Sequence, residues 1–168
     1  MKKIIIIALC LIVITAAVLT VVFYPREGEI DISGTKIVQY LLSGNGPVDG
    51  KNLAVWSDTE RRKCHNDNDD ICWKYGKDIF VQDEKGNYES KSVPLVYVFE
   101  EPVFDDVSCS ATWVKNRIDR LPYSVECKIS GSNLQIHIRI FSEKKNEVDL
   151  CALLDEMYPY IVGDEELQ

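Results

Sequence analysis

Cys64 and His65 are the adjacent pair that nucleophilic catalysis would draw on, a thiol to attack and an imidazole to accept its proton. On a strand, however, neighbouring side chains point to opposite faces, and no third residue is placed to orient the imidazole. The tract that follows, Asn66-Asp67-Asn68-Asp69-Asp70, offers the oxygen ligands that calcium takes. An EF-hand loop counted from Asn66 needs glycine at its sixth position and glutamate at its twelfth, and those positions hold Ile71 and Lys77. A solvated polar loop therefore accounts for the tract better than a metal site. The carboxylate pairs Glu100-Glu101 and Asp105-Asp106 are adjacent in sequence, whereas glycoside hydrolysis needs two carboxyls facing each other across a substrate. The chain has no Gly-rich phosphate loop, no Gly-x-Ser-x-Gly elbow and no His-Glu-x-x-His. No catalytic residue, metal ligand or cofactor is assigned, and the balance of these observations leans away from an enzyme. Trp56, Trp73 and Trp113 are read as core or rim residues.

The cysteines carry clearer information. Cys64, Cys72, Cys109, Cys127 and Cys151 follow the N-terminal apolar run, which holds a sixth, Cys10. None of them forms a Cys-x2-Cys pair, and His65 and His137 are the only histidines, so a zinc site is not supported. Cys64 and Cys72 enclose a short polar, turn-prone segment that can fold back and bring the sulfurs together, which makes them the expected disulfide. Cys109, Cys127 and Cys151 all fall on apolar faces and compete for a second bridge. The pairings Cys109–Cys127 and Cys127–Cys151 both remain open.

The elements that must hold these residues begin with an uncharged run, Ile4 to Tyr24, of about 31 Å as a helix, enough to cross a hydrocarbon core. Lys2 and Lys3 precede it, so the positive-inside rule puts the amino terminus in the cytoplasm and everything after Pro25 outside. The expected organisation is a transmembrane signal-anchor at 1–24, a short linker at 25–30, one extracytoplasmic domain at 31–162 and an acidic tail at 163–168. Cleavage after Thr15-Ala16-Ala17 is the rival reading, although apolar residues continue well beyond that point. Acylation at Cys10 is disfavoured because Leu9 stands where such sites take a small residue.

Beyond the membrane segment, 17 Lys and Arg face 27 Asp and Glu, a net charge of 17 − 27 = −10. Such a domain repels nucleic acid and anionic lipid, and suits a basic partner. The clusters Arg61-Arg62-Lys63 and Lys144-Lys145 are short and lie beside acidic residues, as solvated faces do.

Within the domain, Ile37, Tyr40 and Leu41 recur at helical spacing after Ser33, which is placed to cap them. Leu53 to Trp56 reads as a short strand, followed by the capping box Ser57 to Glu60 and a polar helical turn carrying Cys64. Ile71 to Tyr75 reads as a further helical turn, and Ile79-Phe80-Val81 as a strand. Leu95 to Phe99 has strand composition between Pro94 and Pro102, and Cys109, Ala111 and Trp113 share one face of a strand over Val107 to Val114.

The alternation is strongest from Tyr123 to Phe141. In the first arm Val125, Cys127 and Ile129 share a face, as do Leu134, Ile136, Ile138 and Ile140 in the second. Their faces coincide only if odd positions oppose even ones, which predicts a two-residue loop at Gly131-Ser132 and pairs Ile129 with Leu134 and Glu126 with His137. Glu126 and His137 read as a solvent-facing ion pair rather than an acid-base couple. Val148, Cys151, Leu154, Tyr158 and Ile161 form a helical stripe over Glu147 to Val162, with Asn146 as cap, that should lie on the sheet.

The expected fold is α+β, an antiparallel sheet with a C-terminal helix on one face, preceded by the transmembrane helix. The expected role is a single-pass cell-membrane module, periplasmic if the cell is Gram-negative, that binds another extracytoplasmic protein as an inhibitor, an immunity-type factor or a subunit of an envelope complex. An extracytoplasmic enzyme with an unrecognised site is the first alternative. A structural component assembled through the membrane helix is the second, though that helix has no Gly-x-x-x-Gly face.

Overall fold

The computed structural model describes residues 26–57, 61–65, 71–82, 85–86, 88–118 and 120–163. The expected transmembrane segment with Cys10, the Asn66 to Asp70 tract, most of the Ser57 to Glu60 capping box and the tail at 164–168 lie outside them. Among the described residues, no helix is long and apolar enough to cross a membrane.

The chain is α+β. Among the described residues, seven antiparallel strands, β1 (Arg26–Glu29), β2 (Arg62–His65), β3 (Ile71–Gln82), β4 (Tyr88–Phe99), β5 (Phe104–Lys115), β6 (Tyr123–Ser132) and β7 (Leu134–Ser142), form one sheet. Their spatial order is β1-β5-β6-β7-β4-β3-β2. Helices α1 (Lys36–Leu42), α2 (Leu53–Ser57) and the C-terminal α3 (Leu150–Val162) complete the domain, with a 3-10 turn at Gly50–Asn52.

Period-two alternation builds the core. Val125, Cys127 and Ile129 of β6 and Leu134, Ile136 and Ile138 of β7 are all buried, as are Val96 and Val98 of β4 and Ala111 and Trp113 of β5. They form one cluster with Leu150, Leu154, Met157 and Ile161, the α3 positions that recur at helical spacing, and with Ile37, Val38 and Leu41 of α1. Burying each such Leu or Ile side chain is worth about 1.5–3 kcal/mol, so this face sets which side of the sheet the helices cover.

The α3 helix begins later than expected. Asp149, not Asn146, is its cap, accepting a hydrogen bond from the Ala152 amide at 3.0 Å. Ser33 does not cap α1, because its amide and hydroxyl both donate to Asp31. Asp155 of α3 instead accepts from the Lys36 amide at 2.7 Å, so one helix satisfies the first turn of the other.

Several local expectations are overturned. Arg26 to Glu29, read as linker, is an edge strand paired with β5, with Gly28 opposite Trp113. Leu53 to Ser57 is helical rather than a strand, since Leu53 is pulled into the core beside the 3-10 turn. Arg62–His65 and Ile71–Tyr75 are strands rather than helical turns, with Cys64 opposite Cys72. Pro94 lies inside β4 instead of marking its start. The register slips there, Gly76 pairing with Leu95 and Lys77 with Val93, which leaves Pro94 as the unpaired bulge residue.

The β6–β7 hairpin keeps the expected odd-to-even parity but slides by two residues. Ile129 faces Ile136, Cys127 faces Ile138, and the connecting pair is Ser132-Asn133. Ser132 adopts a φ of +51°, a conformation that costs a side-chain-bearing residue energy. Asn133 holds the turn in place. Its buried amide accepts from Val48 N at 2.7 Å and donates to Val48 O at 3.1 Å and to Phe99 O at 2.9 Å. No periodicity reports such a tertiary anchor.

Candidate functional site

Cys64 and Cys72 stand at disulfide distance with their Cα atoms 5.0 Å apart, joining β2 to β3. Cys64 is thereby withdrawn from any nucleophilic role. His65 lies opposite Ile71 at the end of the same ladder. The remaining thiols of the domain, Cys109, Cys127 and Cys151, are free. In register, Cys109 faces Ile129 and Cys127 faces Ala111, so the two are diagonal neighbours. Diagonal positions lie roughly 7 Å apart, too far for the Cβ separation a disulfide needs. Burial, reinforced by the neighbouring Cys109 and Cys151, pushes the Cys127 thiol up to about 12. It is a packed hydrophobe rather than a nucleophile.

Glu126 and His137 do not face each other. The two-residue slide puts Glu126 opposite Arg139, whose Nε lies 3.0 Å from Glu126 Oε1, and His137 opposite Lys128. His137 packs edge-on to Tyr97 at 6.0 Å between ring centroids. Burial, and secondarily the Lys128 ammonium, hold its pKa below the ordinary imidazole value. With no carboxylate across the ladder, the imidazole has no partner of the kind an acid-base couple needs.

Glu100, Glu101, Asp105 and Asp106 are all exposed, where water screens their charges. Among the described residues, no group of three or more His, Cys, Asp and Glu side chains is arranged to hold a metal ion. The tryptophans divide as core and rim: Trp113 is buried, while Trp73 is half-buried beneath the Arg61 guanidinium, 3.4 Å from the ring centroid. That distance is a cation-π contact.

Among the described residues, a cleft of about 670 Å³ opens between β1 and the segment leading into α3. Trp113 and Leu150 lie in its wall, and Glu29, Asp31, Glu147 and Asp149 bring four carboxylates to it. Local hydrogen bonds engage three of them. Asp31 accepts from the Ser33 hydroxyl and amide, which hold its pKa below the usual carboxylate value. Glu147 accepts from the Ser142 hydroxyl and, at 3.4 Å, from the Lys144 amide, with the same effect. Asp149 is tied to the α3 cap.

Cys151 also lines the cleft, its Sγ 3.6 Å from the Asp31 carbonyl oxygen. Burial and the surrounding carboxylates Asp149, Asp155 and Asp31 raise its pKa, which keeps the thiol protonated. The site therefore presents negative potential beside an indole, with Lys145 at its margin as the countercharge. It provides neither a poised base nor an activated nucleophile. Sequence reasoning misses this cleft, because it places Glu29 in a linker and Glu147 inside a helix. The available signal is Asp149, a capping residue type immediately before Leu150.

No family model, no curated protein and no solved structure matches the chain.

Proposed function

We propose that this chain is a membrane-anchored extracytoplasmic binding module that holds a basic segment of another protein in the cleft between β1 and α3. The observation that carries the reading is the convergence of Glu29, Asp31, Glu147 and Asp149 on one concavity beside Trp113. A lysine or arginine entering there meets opposite charge and the apolar wall of an aromatic residue. The net charge of −10 beyond the apolar run adds long-range attraction for the same ligand.

Position supports it too. Gly28, in the cleft wall, is four residues beyond Tyr24, so it lies at most about 14 Å along the chain from the end of the proposed membrane segment. The partner is then itself close to the bilayer, a membrane protein or one that works at its surface.

The test is a photo-crosslinking residue at position 29 in the intact, membrane-embedded chain. The expected result is a single protein adduct that disappears when Asp31→Lys is added or salt is raised, and persists with Lys128→Glu on the opposite side of the sheet. Absence of an adduct, or one indifferent to Asp31→Lys, would count against the cleft as the binding site. Protease given access to the outer face of that membrane should also reach residues after Pro25, and protection there would reverse the proposed orientation.

A further inference from the structure

Among the described strands, the outer part of the β3–β4 hairpin has no further neighbour. β2 pairs with β3 only through Lys74, and β7 pairs with β4 only from Leu95 to Val98. From Lys77 to Gln82 and from Tyr88 to Val93 the two strands pair with each other and with no other described strand. The ribbon departs at a fixed point. Gly76 has a φ of +137°, and a Cβ built there would lie 2.2 Å from the Pro94 carbonyl oxygen, opposite the bulge. Two strands alone are marginally stable in water, and an unpaired edge exposes a row of main-chain donors and acceptors.

We propose that the free edge of β3, Lys77 to Gln82, pairs antiparallel with the same edge of a second copy of this chain. The segment Asp78-Ile79-Phe80-Val81-Gln82 is self-complementary about Phe80. A two-fold axis there sets Phe80 against Phe80, Ile79 against Val81 and Asp78 against Gln82. Apolar positions meet apolar ones, the single carboxylate meets an amide, and no like charges oppose. A slip of one residue destroys this, putting Ile79 against Gln82 or Asp78 against Val81. The other edge, Tyr88-Glu89-Ser90-Lys91-Ser92-Val93, is mostly polar, and Pro94 interrupts it next to the sheet. The interaction is isologous and closes as a dimer with a four-stranded ribbon at its centre. It involves none of the cleft residues and stands independently of the proposed ligand.

Cysteine substitution in the full chain, in its membrane, tests this with a register as the readout. Under mild oxidation Phe80→Cys should give a dimer at twice the chain mass, about tenfold more than the unsubstituted chain, because only directly opposed positions come within bonding reach. Ile79→Cys and Val81→Cys should each remain monomeric alone and crosslink when differently tagged copies are co-expressed. This mixed pair tests the same register should Phe80→Cys fail to fold. A monomeric Phe80→Cys together with no mixed crosslink overturns the proposal. So does Ile79→Cys self-crosslinking as readily as Phe80→Cys, which marks random collision, or an adduct to a chain of different mass, which assigns the edge to another protein.

Discussion

Asn133 holds Val48 by both main-chain groups, accepting from its amide at 2.7 Å and donating to its carbonyl at 3.1 Å across 85 positions of sequence. The same side chain donates to Phe99 O, and the Phe99 amide donates to Asn133 O at 2.8 Å. One buried residue thus locks the β6–β7 turn to β4 and to the loop before α2.

Asn133→Ala should therefore be far more destabilising than its size suggests. It leaves the Val48 amide and carbonyl buried without partners, at a cost of about 1–3 kcal/mol for each group. Urea unfolding followed by tryptophan fluorescence should show a loss of about 3 kcal/mol. Asn133→Asp, which keeps the acceptor but sets a carboxylate against two carbonyl oxygens, should fare no better. A loss under about 0.5 kcal/mol in either variant would show that the network does not hold the turn.

Gly76→Ala should cost about 2–4 kcal/mol, because the new methyl meets the Pro94 carbonyl and the left-handed backbone is retained only with strain. The same unfolding measurement checks it. An unaffected Gly76→Ala would mean that the bulge reorganises freely.

Alkylation before and after reduction should sort the cysteines by environment. In the unreduced protein Cys109, which is exposed, should label fastest, Cys151 more slowly and Cys127 only on unfolding, since its thiol sits at about 12. Cys64 and Cys72 should label only after reduction. Peptide mapping that links Cys64 to Cys109, Cys127 or Cys151 would contradict the local bridge.

Stability should fall as pH drops below about 6.5, the unfolded imidazole value, because His137 binds fewer protons in the folded state. The sign follows from its lowered pKa: the contribution is complete above that pH and is lost as pH falls through the window down to the folded value. His137→Gln should flatten this slope, and Lys128→Gln should move the His137 titration, followed by NMR, upward. A His137 midpoint at or above 6.5 in the native protein would exclude the effect.

Alternation and composition make the inner face of the sheet readable from the sequence. The faces of Val125 to Ile129 and Leu134 to Ile140 follow from a period of two, and the α3 stripe from a period of 3.6. Register was not readable, because parity allows slides of two residues and the choice between them rests on Asn133, a contact between distant segments. Leu53 to Trp56 and Ile71 to Tyr75 depart from the sequence expectation for a related reason: short apolar runs suit strand or helix, and tertiary packing decides. Without that register the Glu126–Arg139 pair was invisible. Without β1, so was the cleft.

The order of strands in space also dictates an order in time. β1 precedes the other described strands in synthesis, yet its partner among them, β5, begins at Phe104, after β2, β3 and β4 have all appeared. β4 likewise waits for β7, whereas β5, β6 and β7 can zip together as neighbours along the chain. β1 thus waits through three intervening strands for its partner, and a nascent chain halted anywhere before Cys151 lacks part of the cleft wall.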